Sequence, residues 1–172
     1  LNTDAATADD ATIWNDTAPT SSVFSVGTSS LTNGNTEAMI AYLWAGVEGF
    51  SKFGSFVGTQ VNPGPFVYCG FKPDFVIMKE PEGGYGGWNM TSWPVHPANF
   101  GASAGYWNSA NTDGGEGATG YTPVEILSNG FKLRTANPAW NNSGEIMIFA
   151  AWAGKSIQGP NPASNTNQGR AS

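Results

Sequence analysis

An eight-residue apolar segment occurs twice in this chain, and it limits how the chain can fold more than any other sequence feature. The copies are MIAYLWAG at residues 39–46 and MIFAAWAG at residues 147–154, and five of the eight positions are identical. The remaining sequence is rich in Gly, Asn, Ser and Thr, so both segments stand out as material for a core. Such self-similarity, repeated at a fixed spacing, indicates an internal repeat.

The flanking sequences match in the same order. VFSV at 23–26 parallels GFKL at 130–133, and a polar loop follows each of them, at 27–37 and at 134–145. The offset changes by only a residue or two, as insertions in loops would produce. The alternative is chance similarity between unrelated strands, which collinear matches make a poor explanation.

The repeat predicts three parts of the chain. Residues 1–47 correspond to the C-terminal half of a first repeat unit, residues 48–154 to a complete unit, and residues 155–172 to an extended C-terminal tail. Half a unit cannot bury its apolar face alone. We therefore expect its strands to pair with the following unit, with upstream sequence or with another chain.

Both apolar copies are short and bounded by turn residues, which favours strands buried on two faces over helices. Residues 23–26 and 39–46 are expected to form an antiparallel hairpin with a long loop, and the second copy to repeat it. Further strands are predicted within 53–60, at 66–69, at 75–79 and on both sides of an Asn-Gly turn in 124–134. The expected fold is all-β: an antiparallel β-sandwich built from tandem related units, with long Gly/Trp-rich loops.

The composition excludes several classes of function. Charged residues make up 12% of the chain and the net charge is −6, without any basic run, which argues against nucleic-acid binding. No apolar stretch approaches the roughly 18 residues of a membrane-spanning helix. Cys69 is the only cysteine, so no intrachain disulfide and no cysteine-based metal site are expected. The start, LNTDAAT, has neither Met nor a signal peptide, as expected of a fragment or a processed product.

Residues 81–120 are rich in Gly and aromatic residues and are expected to form long loops with one or two short strands. Their aromatic rings are candidates for stacking on sugars, and the candidate ligand-binding residues are Trp88, Trp93, Tyr106 and Trp107. The alternative is that these rings fill the ends of the sandwich or a contact between subunits, where aromatic residues are common.

No catalytic residue, metal ligand or cofactor is predicted. Ser103 lies in GASAG, but its flanks are loop-like and the only histidine, His96, lies upstream, against the order of a hydrolase triad. Asn111, Asp113 and Glu116 are oxygen ligands at suggestive spacing, but they lack the full ligand set of a calcium loop. A solvated turn is the simpler interpretation of these three residues.

The tail at 155–172 has the composition of a disordered segment. Ordering such a segment costs about 1–2 kcal/mol per residue in backbone entropy, so we expect a partner surface to offset that cost. A neighbouring copy in an assembly is the simplest partner, and the candidate oligomer contacts are Ile157, Pro160 and Pro162.

Four stretches together resemble a repeat domain of tail and tail-fibre proteins from double-stranded-DNA bacteriophages, including marine and cyanobacterial ones. They are MIAYLWAGVEGFSKFGSFVG, GPFVYCGFKPDFVIMK, WNDTAPTSSVFSVG and LSNGFKLR, and the resemblance covers nearly all of residues 10–154. This chain departs from the common pattern in its Gly/Trp-rich segment at 81–107 and in beginning within a unit.

The resemblance implies a non-enzymatic structural protein of a phage virion, located outside the cell as part of a tail fibre or related appendage. It implies a homo-oligomer, expected as a trimer, with other virion proteins and a host surface glycan as further partners. Two alternatives remain: a lectin-like glycan-binding module, and a capsid decoration protein or filament subunit.

Overall fold

The computed structural model describes residues 9–82, 87–92, 105–110, 117–119 and 123–154. The chain divides into a smaller unit, described over 9–44, and a larger one, described over 45–154. Over these ranges no helix is long and apolar enough to cross a membrane.

The larger unit consists of two antiparallel sheets. Over the described ranges its strands are β1 (Ser51–Val57), β2 (Phe66–Tyr68), β3 (Phe75–Lys79), β4 (Asn89–Ser92), β5 (Gly105–Ser109), β6 (Gly117–Thr119), β7 (Val124–Leu127), β8 (Gly130–Leu133) and β9 (Ile146–Trp152). One sheet has the order β1-β9-β3-β4-β5-β6 and the other the order β2-β8-β7. The expected all-β, antiparallel fold is confirmed, while construction from tandem units stays a prediction.

The core lies between the two sheets and follows the two-residue period of the strands. Met147, Phe149 and Ala151 alternate along β9 and are buried, as are Val76 and Met78 of β3.

Phe131 of the smaller sheet is fully buried in this core. Its ring meets Phe149 edge-on at 5.4 Å and Phe56 at 6.2 Å between centroids. These contacts join the two sheets through close aromatic packing, which adds to the free energy of apolar burial.

Most strands of the larger unit were predictable. The segments within 53–60, at 66–69 and at 75–79 carry β1, β2 and β3, and β7 and β8 form a hairpin around a two-residue turn. The segment at 81–120 holds three short strands, β4, β5 and β6, where one or two were expected.

The predicted pairing of the second copy as a hairpin is wrong. β8 and β9 lie in different sheets, and the connection between them contains the one-turn helix α3 (Pro138–Asn141). The long connection therefore carries the chain from one layer to the other, which a hairpin loop cannot do.

The smaller unit contains two one-turn helices, α1 (Ala11–Trp14) and α2 (Ser30–Asn33). Asp10 caps α1, since its carboxylate accepts hydrogen bonds from the Thr12 N–H at 2.8 Å and the Thr12 hydroxyl at 2.6 Å. Gly27 packs so closely on Thr12 that a side chain at position 27 would collide with its carbonyl.

The strands predicted at 23–26 and 39–46 are wrong. Neither segment forms a strand, and no described residue pairs with their backbones in a sheet. A strand needs neighbours to satisfy its backbone and to cover its side chains. Here the apolar residues stay exposed, Val23 by 62% and Ile40 by 80%.

Candidate functional site

Only one of the candidate sugar-stacking side chains can be described. Trp88 is half-buried just before β4, with the Lys79 ammonium 5.8 Å from its ring centroid. β5 carries Tyr106 and Trp107 and is paired with β4 through Asn89 and Ser109, so the backbones of the three aromatic positions lie in neighbouring strands. Trp93 and the side chains of Tyr106 and Trp107 lie outside the described residues.

The next residues to place are those considered above for catalysis and for metal binding. Ser103, His96 and the segment 111–116 lie outside the described residues. The described part of the chain holds no group of three His, Cys, Asp or Glu side chains placed to bind a metal. Asp10 is the cap of α1, and its hydrogen bonds with Thr12 lower the pKa of its carboxyl.

The candidate oligomer contacts Ile157, Pro160 and Pro162 also lie outside the described residues. Their role stays a prediction.

Asn141 is the centre of a buried polar cluster that the sequence analysis missed. Its side chain is fully buried and makes hydrogen bonds to three residues in two segments of the chain. The carbonyl oxygen accepts from the Thr59 N–H at 2.7 Å, and the amide donates to the carbonyls of Val61 at 3.0 Å and Thr135 at 2.8 Å. Asn141 thus ties the β1–β2 connection to the chain segment after β8.

Glu80 lies at the end of β3 and is 1% exposed. The Asn142 amide donates to one of its carboxylate oxygens at 3.0 Å, while the other oxygen is buried without a hydrogen-bond partner. The Asn89 amide donates to the Ala139 carbonyl at 2.7 Å. These two hydrogen bonds tie α3 and the residue after it to Glu80 and to β4.

The loops that precede the two apolar copies have the same local structure. α2 and α3 lie 108 residues apart, and the side chains of Ser29 and Asn137 cap them in the same way. Asn33 donates a side-chain hydrogen bond to the Gly27 carbonyl at 3.0 Å, as Asn141 does to the carbonyl of Thr135.

Three backbone hydrogen bonds also recur at this spacing. The Glu37 N–H donates to Gly34 at 3.2 Å and the Glu145 N–H to Asn142 at 3.3 Å, and the backbone bonds inside α2 match those inside α3. The same sequence pattern therefore builds the same turn twice. The alignment of Asn33 with Asn141 was a signal from which the buried asparagine could have been found.

After these loops the two copies differ in their surroundings. The second copy continues into β9 at the centre of a sheet, whereas the first continues into residues 39–44, which we call the arm. The arm shows no hydrogen bond to any other described residue. Its large side chains are exposed by 45% to 80%: Met39, Ile40, Tyr42, Leu43 and Trp44. Contiguous exposed apolar surface of this kind is uncommon on soluble monomeric proteins.

β1 is the outer strand of its sheet in the described structure, with β9 on one side. At its start Ser51 exchanges two backbone hydrogen bonds with Val47, at 2.8 and 3.1 Å. Beyond this bridge no described residue pairs with its other edge. Phe53 and Val57 on this strand are 37% and 56% exposed, so the edge offers both backbone groups and apolar side chains.

A cleft of about 390 Å³ is lined by Asn62, Thr135, Ala136 and Asn137 together with Arg134. Arg134 forms an ion pair with Glu125, and its Nε donates to that carboxylate at 2.7 Å. The charge of Arg134 is therefore already paired within the domain.

Together these features define a two-sheet β domain with an attached apolar arm. The chain belongs to the family described as a domain of unknown function, DUF7483, whose model matches residues 1–156. Neither the curated proteins nor the solved structures contain a match to this chain.

Proposed function

We propose that this chain is a non-enzymatic structural module of a phage virion, part of a tail fibre or related appendage, and that it acts as a homo-oligomer. The observation that carries the proposal is the arm, an apolar segment whose five large side chains are 45% to 80% exposed. Its leucine and tryptophan are 69% and 65% exposed.

The free energy of burial favours covering such a surface. Apolar area removed from water contributes about 25 cal/mol per Å². Five large apolar side chains on six consecutive residues therefore supply a strong drive toward association. The repeat module of phage tail and tail-fibre proteins, which the sequence resembles, is a structural part that works in assemblies, and an exposed arm suits such a part.

Two measurements test the proposal. Light scattering on the purified chain should give the mass of a discrete oligomer, and a constant monomer mass up to high concentration contradicts the homo-oligomer. Mass spectrometry of purified phage particles from the source host, with immunogold labelling, should place the chain on an appendage. Its absence from particles, while it is present in infected cells, contradicts the virion assignment.

A further inference from the structure

We infer that copies of this chain associate by strand addition: the arm of one copy adds as an extra strand to the outward edge of β1 in a second copy. The inference rests on the proposed function, because it names the contact by which the proposed homo-oligomer forms. In this contact the exposed arm of one molecule binds the sheet edge of another.

The arm has the sequence of a strand that β1 already accepts. Its aligned counterpart, β9, pairs with β1 over seven residues, from Ser51 opposite Trp152 to Val57 opposite Ile146. Met39, Ile40 and Trp44 of the arm are identical to Met147, Ile148 and Trp152 of that strand. In each molecule β9 already pairs with one edge of β1. The other edge of β1 is therefore where a second strand of this sequence could pair.

The arm already has the extended backbone that strand pairing requires. The loop before it repeats the hydrogen bonds of the loop that leads into β9, as the side chains of Asn33 and Asn141 show. The rings of Tyr42 and Trp44 stack at 6.3 Å between centroids, and neighbours two residues apart share one side only in an extended backbone. An extended segment loses less conformational entropy on pairing than a coiled one.

On the outward edge of β1, beyond Ser51, the backbone groups have no partner within the described part of the chain. The Phe50 carbonyl accepts from Ala153 and the Gly58 N–H donates to Glu145, so the even-numbered residues between them turn their backbone groups toward β9. In an antiparallel pair the alternate residues point the other way. Phe53, Ser55 and Val57 therefore direct their N–H and C=O groups to the open edge, which is a template for a further strand.

The side chains match as well. On the outer face of the sheet Phe53 packs edge-on against Trp152 at 5.4 Å. An added arm with Ile40, Tyr42 and Trp44 on that face would extend this apolar surface, as β9 does on the other side of β1. No charged residue lies between Glu37 and Glu48, so no charge is buried by the pairing.

Cross-linking between copies tests the contact directly. A Tyr42→Cys copy and a Ser55→Cys copy are mixed and treated with a short bis-maleimide, because both side chains lie on the outer face of the proposed sheet. The native Cys69 is buried and stays out of the reaction. The matched control pairs Tyr42→Cys with Ser128→Cys, because position 128 is exposed on the β7–β8 turn. We expect at least a several-fold higher yield of mixed dimer from the first pair. Equal yields in both pairs overturn the inference.

Two variants of the full chain separate this inference from the proposed function. Trp44→Asp places a charge on the arm without touching the core, and Ser55→Pro removes an outward donor from β1, with Ser55→Thr as its control. We expect Trp44→Asp and Ser55→Pro to lower the oligomer mass and Ser55→Thr to keep it. An unchanged oligomer with a charged arm overturns strand addition and leaves the proposed function standing. A wild-type chain that is monomeric and absent from virions overturns the proposed function itself.

Discussion

The side chain of Asn141 accepts a hydrogen bond from the Thr59 backbone N–H at 2.7 Å, across 82 positions of sequence. With its two donated bonds it holds the β1–β2 connection against the chain segment after β8. Asn141→Ala removes one buried hydrogen bond, to Thr135, and two partly buried ones, to Thr59 and Val61. At about 1 kcal/mol for each bond, we expect the free energy of unfolding to fall by about 3 kcal/mol.

Asn33→Ala is the matched control for that change. Asn33 occupies the equivalent place in the first copy, but it is exposed. Its side-chain amide donates a hydrogen bond to the Gly27 carbonyl. We expect it to cost about 1 kcal/mol or less. Urea unfolding of both variants measures the difference, and equal losses would contradict the role assigned to Asn141.

Phe131→Ala should destabilise the domain by about 3–5 kcal/mol, because it opens a cavity at the centre of the core. The ring is fully buried and touches Phe149 of the opposite sheet. Phe66→Ala, in the adjacent strand, is the comparison because that ring is 44% exposed. Thermal unfolding should rank the two changes in this order, and a larger loss at position 66 would argue against the sheet packing described.

The Cys69 thiol gives a pH-dependent prediction. Burial raises its pKa to about 11, while the Lys52 charge lowers it slightly. In the unfolded chain the thiol ionises at its ordinary, lower pKa, so ionisation favours unfolding. This contribution to stability is complete below about pH 9 and is lost as the pH rises toward 11.

Comparison with Cys69→Ala isolates that effect, because lysines and tyrosines titrate in the same range. The wild-type chain should lose more free energy of unfolding between pH 9 and 11 than the variant does. Parallel pH profiles would show that the native thiol ionises as readily as the unfolded one.

Trp88 offers a test of the lectin-like alternative. Its ring is half-buried and has the Lys79 ammonium nearby, so little of it forms a free platform for sugar. Under the proposed structural role Trp88→Ala should leave the oligomer mass unchanged, and a glycan array should show no binding that this variant loses. A glycan retained by the wild-type chain and lost by the variant would favour the lectin.

The strands that sequence patterns predicted well are those whose partners lie in the same domain. The hairpin of β7 and β8 depends on local turn chemistry, and the apolar run within Phe75–Lys79 is visible without any partner. Residues 39–46 failed because pairing is non-local: an apolar run becomes a strand only beside another strand. The near-identical β9 shows that the residues themselves are competent.

The candidate site divides in the same way. Trp88 was identified from composition, since aromatic residues in Gly-rich loops are conspicuous. Asn141 was missed because the sequence around it reads as an ordinary polar turn, and its importance comes from contacts with Thr59 and Val61 about 80 residues away. The edge of β1 was missed because only the order of the strands shows which one is outermost.

The exposed arm also has a consequence for handling the protein. An exposed apolar segment on every molecule favours non-specific aggregation. The net charge of −6 supplies the main electrostatic repulsion between molecules in dilute buffer. Added salt screens that repulsion within about 10 Å at 0.1 M. Colloidal stability should therefore decline as ionic strength rises, and purification at low salt should preserve the greatest yield of dispersed material.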